Sequence, residues 1–267
     1  MLGKLLKYDW KYSWRLLGLL NGALLIFSLL GQLGSPVLWH GSRMLSGILT
    51  VLYAFIYVLL FSGSLIATQI LLAVRYYRNF YTDEGYLLHT LPVTTNEKIW
   101  AKFINHLIWT FINIICLMFS VLCLLGPAQW EDFFGLFSQF FSSISLALNV
   151  PVPVVVLAAL AAILLSLAFM IYSLYFCVSI GSLFPSHRVL ASIITYVVLY
   201  CVIQLGAFIY LIVTVAIIDR RMHRIQPASA AGTAGLVYTG AMLLLFAGNA
   251  VFYGFSYFIA HKKLNLD

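Results

Sequence analysis

Residues 151–181 read PVPVVVLAALAAILLSLAFMIYSLYFCVSIG and contain no Asp, Glu, Lys or Arg. A charge at a helix centre costs about 2.5 to 3.5 kcal/mol on insertion scales, and roughly 20 apolar residues cross the hydrocarbon. This run therefore reads as a spanning helix, its leading prolines suiting a first turn better than an interior. It lies within the longest charge-free stretch, 133–187. Working outward, five more such stretches appear at 16–42, 44–74, 103–130, 189–218 and 225–260. Each has room for one span, and the expected spans are 16–34, 46–74, 103–125, 153–181, 189–218 and 234–260. The expected fold class is an all-α integral membrane protein with six transmembrane helices. An N-terminal amphipathic helix and a helix in the loop between spans 2 and 3 complete it.

Composition agrees with that patterning. Of 267 residues, 63% are apolar and 9% charged, against roughly 45 to 50% and about 25% in soluble domains. A soluble globular protein is excluded, and the chain is expected to be a single membrane domain, 1–267. The net charge of +7 comes from basic residues at the ends of apolar runs, where anionic headgroups lie. Membrane lipid, not nucleic acid, is the expected partner of that charge. Cys116, Cys123, Cys177 and Cys201 all fall inside expected spans without C-x-x-C spacing, so no zinc site or disulfide is indicated.

Basic residues are retained on the cytoplasmic side of a membrane. With the N-terminus inside, the tail, the 75–102 loop, Arg188 and the C-terminus collect eleven Lys and Arg, against four outside. Both termini are thus expected in the cytoplasm, with Arg220, Arg221 and Arg224 as the discordant loop. In the segment 1–15, Lys4, Lys7, Lys11 and Arg15 share one helical face, with Leu2, Leu5, Leu6 and Tyr12 largely opposite. The expectation is an amphipathic helix with its cations at phosphates and Trp10 and Trp14 in the headgroup layer. A signal peptide is less apt, because no small-x-small cleavage pattern follows. Between Gly126-Pro127 and Pro153, the 126–152 segment places Phe133, Phe137, Phe140 and Phe141 at helical face spacing, as in an external interfacial helix.

The loop 75–102 carries the densest punctuation. Thr82 can cap a short helix, Asp83 and Glu84 complement its dipole, and His89 and Thr90 close it before Leu91-Pro92 forces an extended turn. Thr94 and Glu97 then have capping-box spacing at the start of the third span's helix. A push on 83–90 would rotate or tilt that span. An ordinary capped loop accounts for the same signals.

The run DEGYLLHTLPVTTNEKIWAK, 83–102, resembles the loop between the second and third spans of ABC-2 type transporter permeases of Gram-positive bacteria, many of which carry a similar DEGYL…TLPV pattern. The resemblance extends to the layout of the whole chain. It implies the transmembrane half of an ATP-driven exporter. Asp83, Glu84, Gly85, Tyr86, Leu87, Leu91 and Pro92 match the motif and would seat a coupling helix against a separate ABC ATPase subunit; Lys102 matches the basic residue where the third span begins. ATP and magnesium would be bound by that partner. The chain would pair with itself or with a paralogous permease, in the cell membrane. Cargo in such permeases includes antimicrobial peptides, other hydrophobic compounds, lipids and polysaccharides.

The chain has no G-x-x-x-x-G-K-[ST] phosphate loop and no H-E-x-x-H pattern. Its charge-free stretches offer no acidic pair for an aspartyl protease or proton pump. No enzymatic activity is expected of the chain alone, and no metal, catalytic or cofactor-binding residue is assigned. Asn21, Gln69, Asn105, His106, Asn113, Gln204 and Asn249 are polar residues within the spans that could contact a substrate. Gln69, His106, Asn113 and Gln204 are the candidate substrate path, although interhelical hydrogen bonding is the commoner role. His106, Thr110 and Asn113 share a face, and Gly18-x-x-x-Gly22 permits close helix packing. Two alternatives stand beside the exporter: a nontransporting membrane sensor or scaffold for a cytoplasmic signalling partner, and a membrane enzyme built around His106 or His40.

Overall fold

The structure is a computed structural model that describes residues 2–40, 43–82, 85, 93–184, 187–222 and 230–262. The described chain is all helical: α1 Leu2–His40, α2 Arg43–Tyr81, α3 Thr95–Leu125, α4 Trp130–Leu148, α5 Val152–Gly181, α6 Arg188–Met222 and α7 Ala230–Lys262. All but α4 are long and apolar enough to cross a membrane, so the six spans read from charge patterning are present. This is the architecture of a multi-pass membrane protein.

The helices run further than the charge-free stretches. α1 and α2 have 39 residues each, about 58 Å at 1.5 Å per residue, whereas the hydrocarbon is roughly 30 Å thick. Residues 2–15 are the uninterrupted continuation of the first span, where the sequence reading drew a boundary after residue 15. No Gly or Pro falls between Lys4 and Leu17 to break the backbone ladder.

Both expected interruptions are realised. Gly126 closes α3 with φ 76°, a left-handed setting that glycine adopts without Cβ strain, and donates to Leu122 O at 3.2 Å. α4 ends at Asn149, φ 51°, and Ser145 Oγ donates to Val150 O at 2.6 Å. Pro151 then caps α5, with a second proline in its first turn. No residue of α4 is buried.

The chain divides into two compact units, Met1–Tyr76 with Pro92–Gly135, and Tyr77–Leu91 with Leu136–Asp267. In the first, α1 packs on α3. Asp9, Ser13, Leu17, Asn21, Leu24, Ser28 and Gly31 are buried on α1, a spacing of three and four that gives one continuous face. Leu17, Leu72 and Trp109 form its apolar centre. Elsewhere the seam is small or polar, as suits helices in lipid, where apolar side chains gain little by leaving the tails. In the second unit, α5 packs on α6 and α7. There Phe169 and Phe176 pack against Phe252 at 5.2 and 5.1 Å, and Asn249 Nδ2 donates to Leu165 O at 3.2 Å.

Candidate functional site

The first unit contains a buried charged node where α1, α2 and α3 meet. Asp9, 3% exposed, is the only acidic residue before Asp83. Its Oδ1 accepts from Arg75 Nε at 3.1 Å and Nη2 at 2.9 Å. Lys102 Nζ reaches both carboxylate oxygens at 2.6 Å. Tyr12 lies one turn from Asp9, with its ring 3.7 Å from the Arg75 guanidinium carbon. An uncompensated carboxylate here would lose its hydration with nothing in exchange; two cations and four contacts make its burial tolerable.

The aromatic neighbours fix the same junction. Trp10 stacks on Trp109 with ring centroids 4.8 Å apart, and Trp14 lies 6.2 Å from Trp109. Trp10 thus packs against the Leu17–Leu72–Trp109 cluster, where its ring gains stacking on an indole. Trp14 stays exposed, as do Lys4, Lys7, Lys11 and Arg15.

Further along α3, the polar residues are paired with one another. His106 Nε2 donates to Gln69 Oε1 at 2.7 Å, the direction fixed because the Gln69 amide donates to Thr110 Oγ1 at 3.2 Å. Asn113 Nδ2 donates to Asn21 Oδ1 at 2.8 Å and to Ser64 Oγ at 2.7 Å, spending both its protons on two different helices. One turn or two beyond, Tyr57 and Ser120 hydroxyls are 2.9 Å apart. Of the candidate path residues, Gln69, His106 and Asn113 come together in this interior. Gln204 belongs to the second unit, is exposed, and donates to Tyr200 of its own helix at 2.7 Å.

Gly18 and Gly22 look away from this seam, with nothing within 4 Å of where a Cβ would stand at either. Close packing through them within the chain is not realised, because the α1 face that meets α3 runs through Asp9, Leu17 and Asn21.

The loop that carries the family resemblance joins α2 to α3. Of its candidate residues only Gly85 is described; Asp83, Glu84, Tyr86, Leu87, Leu91 and Pro92 lie outside the described residues, as does the expected helix through 83–90. Gly85 is buried and its amide donates to Thr82 O at 2.7 Å. A Cβ there would stand 2.9 Å from Phe80 O and 3.2 Å from Asn79 O, so the chain folds back against the α2 terminus at a distance only glycine permits. The α2 terminus is itself held, with Tyr81 OH donating to Ser179 Oγ at 2.8 Å and Arg188 Nη1 to Tyr81 O at 3.3 Å. At the loop's other end the capping box is formed, with Glu97 N donating to Thr94 Oγ1 at 3.3 Å and Thr94 N to Glu97 Oε2 at 3.2 Å.

Sequence reasoning passed over Asp9 and counted Arg75 only toward topology. The available signal was a lone carboxylate in a basic tail, off the cationic face and four residues before Ser13. Comparisons of the chain with protein-family models, curated proteins and solved structures return no match. Among the described residues, no cluster of His, Cys, Asp and Glu is placed to hold a metal ion.

Proposed function

We propose that this chain is the membrane subunit of an ABC-2 type transporter, driven by separate ATPase subunits through the loop between α2 and α3. The observation that carries the reading is the grip of Arg75 and Lys102 on Asp9. These cations stand at the two roots of that loop, one on the helix leading in and one on the helix leading out. A displacement applied at 82–92 therefore meets α1, α2 and α3 already fastened to each other. A loose hinge would absorb such a push; a charge-locked junction passes it into the spans.

In this reading the loop faces the cytoplasm with both termini. ATP and magnesium occupy the partner ATPase, and two permease chains, identical or paralogous, form the transport unit. Closure of the ATPase pair draws the loops together and shifts access of the membrane interior outward for a hydrophobic or amphipathic cargo. Gln69, His106 and Asn113 hold the spans of the first unit in register through this movement, Gln69 paired with His106 and Thr110, and Asn113 with Asn21 and Ser64. The remaining candidate path residue, Gln204, is the exposed one.

The test is co-purification. Replacing Asp83 and Glu84 with Ala, or Tyr86 with Ala, is expected to lower recovery of a co-expressed ABC ATPase partner while membrane insertion stays intact. Undiminished recovery would count against the coupling role. A second reading, a sensor that does not transport, is favoured by the aromatic helix α4, none of whose residues is buried. Vesicles containing chain and ATPase separate the two: ligand-stimulated ATP hydrolysis without ligand movement would select the sensor.

A further inference from the structure

The outer surface of the first unit contains a groove of about 540 Å³ between α1 and α2. Its floor is Leu24 and Ser64, 1% and 3% exposed. Leu16, Leu19, Leu59 and Leu60 stand along it. The only charged residue lining it is Arg15. Along α1 the lining runs from Arg15 to Leu24, roughly 13 Å of helix rise. Arg15 is thus at the groove's end nearest the α1 N-terminus, and it is the last cation before the charge-free stretch 16–42.

We propose that this groove is a binding site for one anionic phospholipid, its phosphate on Arg15 and one acyl chain laid over Leu24 and Ser64. Three observations converge on that occupant. First, the lining is aliphatic along its length and cationic at one end, the polarity sequence of a lipid. Second, Arg15 has no carboxylate within ion-pair distance among the described residues, so its guanidinium fork is available to a phosphate. Third, Lys4, Lys7 and Lys11 continue the positive face of α1 away from the groove, which concentrates anionic headgroups at its mouth. The Ser64 hydroxyl, 3% exposed, accepts from Asn113 at 2.7 Å. The proposal stands independently of the transporter reading, since it uses only the groove, its charge and a bilayer.

The purified full-length chain in detergent is titrated with phosphatidylglycerol or phosphatidylcholine of identical oleoyl chains, and bound lipid is counted by native mass spectrometry. The wild-type chain is expected to hold phosphatidylglycerol about tenfold more tightly, the scale of one charge-assisted bond to phosphate. Arg15→Gln is expected to erase the preference while leaving weak binding of both lipids. Gly63→Trp fills the groove from a position where a Cβ meets nothing within 4 Å, and is expected to reduce both lipids. Ala23→Trp supplies a second filling variant should the first elute as aggregate. Lys4→Gln, remote from the groove, is expected to keep the wild-type ratio. The proposal is overturned if Arg15→Gln retains the preference, or if Lys4→Gln loses as much as Arg15→Gln, which marks diffuse attraction. It is equally overturned if the filled variants bind wild-type amounts, or if they abolish a dimer without changing lipid binding.

Discussion

A carboxylate 3% exposed between three helices has given up its hydration and needs charged partners in exchange. Lys102 at 2.6 Å and Arg75 at 2.9 Å from Asp9 supply that compensation. Removing one member leaves the others buried without it, a loss of about 3 to 5 kcal/mol in comparable cases. Lys102→Met is therefore expected to lower the melting temperature of the detergent-solubilised chain sharply, followed by loss of the monodisperse chromatographic peak. Asp9→Leu combined with Lys102→Met is expected to recover part of the loss, because the pair's desolvation disappears with it. A double variant no better than the single would sink the account of this node as a compensated pair. Gly85 gives a second residue-scale expectation. An added methyl 2.9 Å from the Phe80 carbonyl oxygen must move backbone rather than a side-chain tip, so Gly85→Ala is expected to displace the 82–92 segment and reduce ATPase recovery, with wild-type recovery as the refuting result.

At the scale of the element, α3 is the helix on which the polar contacts converge. Its start is fixed by Thr94, which is exposed, and Glu97, which is half-buried, through a capping box. Thr94→Ala is expected to cost about 1 kcal/mol and to speed hydrogen exchange of the amides at 95–98 without altering those near Asn113. Further in, Asn113 bridges Asn21 of α1 and Ser64 of α2. Interhelical hydrogen bonds in bilayers average about 0.6 kcal/mol and reach about 1.7. Asn113→Leu removes two of them at once. It is expected to lower stability by about 1 to 3 kcal/mol, read as a shifted unfolding midpoint in detergent, while Gln204→Leu on the exposed face of α6 is expected to be silent. Equal effects of the two substitutions would contradict the distinction between the paired interior and the outward-facing glutamine.

On the scale of the whole molecule, two units with different cores share one chain. The first is sewn with charges and amides, the second with aromatic rings on α5 and α7. α6 has no buried residue among those described, and its long apolar surface is that of a helix facing lipid or another copy of the chain. Such a chain contains spans and a charge-fastened junction of α1, α2 and α3, and the proposed motor is a separate subunit. The proposed division of labour therefore requires nucleotide hydrolysis to appear only with the partner ATPase present.

Six spans were legible without any coordinates because the price of a charge in hydrocarbon is large and local: runs free of Asp, Glu, Lys and Arg had no other stable home. The breaks at Gly126 and Pro151 were legible for the same kind of reason, since φ freedom and a missing amide belong to single residues. So was the Thr94–Glu97 cap, three positions apart on one turn. The node was not legible, because Asp9, Arg75 and Lys102 are separated by 66 and 93 residues from Asp9, and no local period says which helix faces meet. The same holds for His106 with Gln69, and for Asn113 with Asn21 and Ser64. Sequence determined which segments enter the membrane and where they stop; only packing decided which of their few polar groups satisfy one another, because that choice depends on which faces come within hydrogen-bond distance.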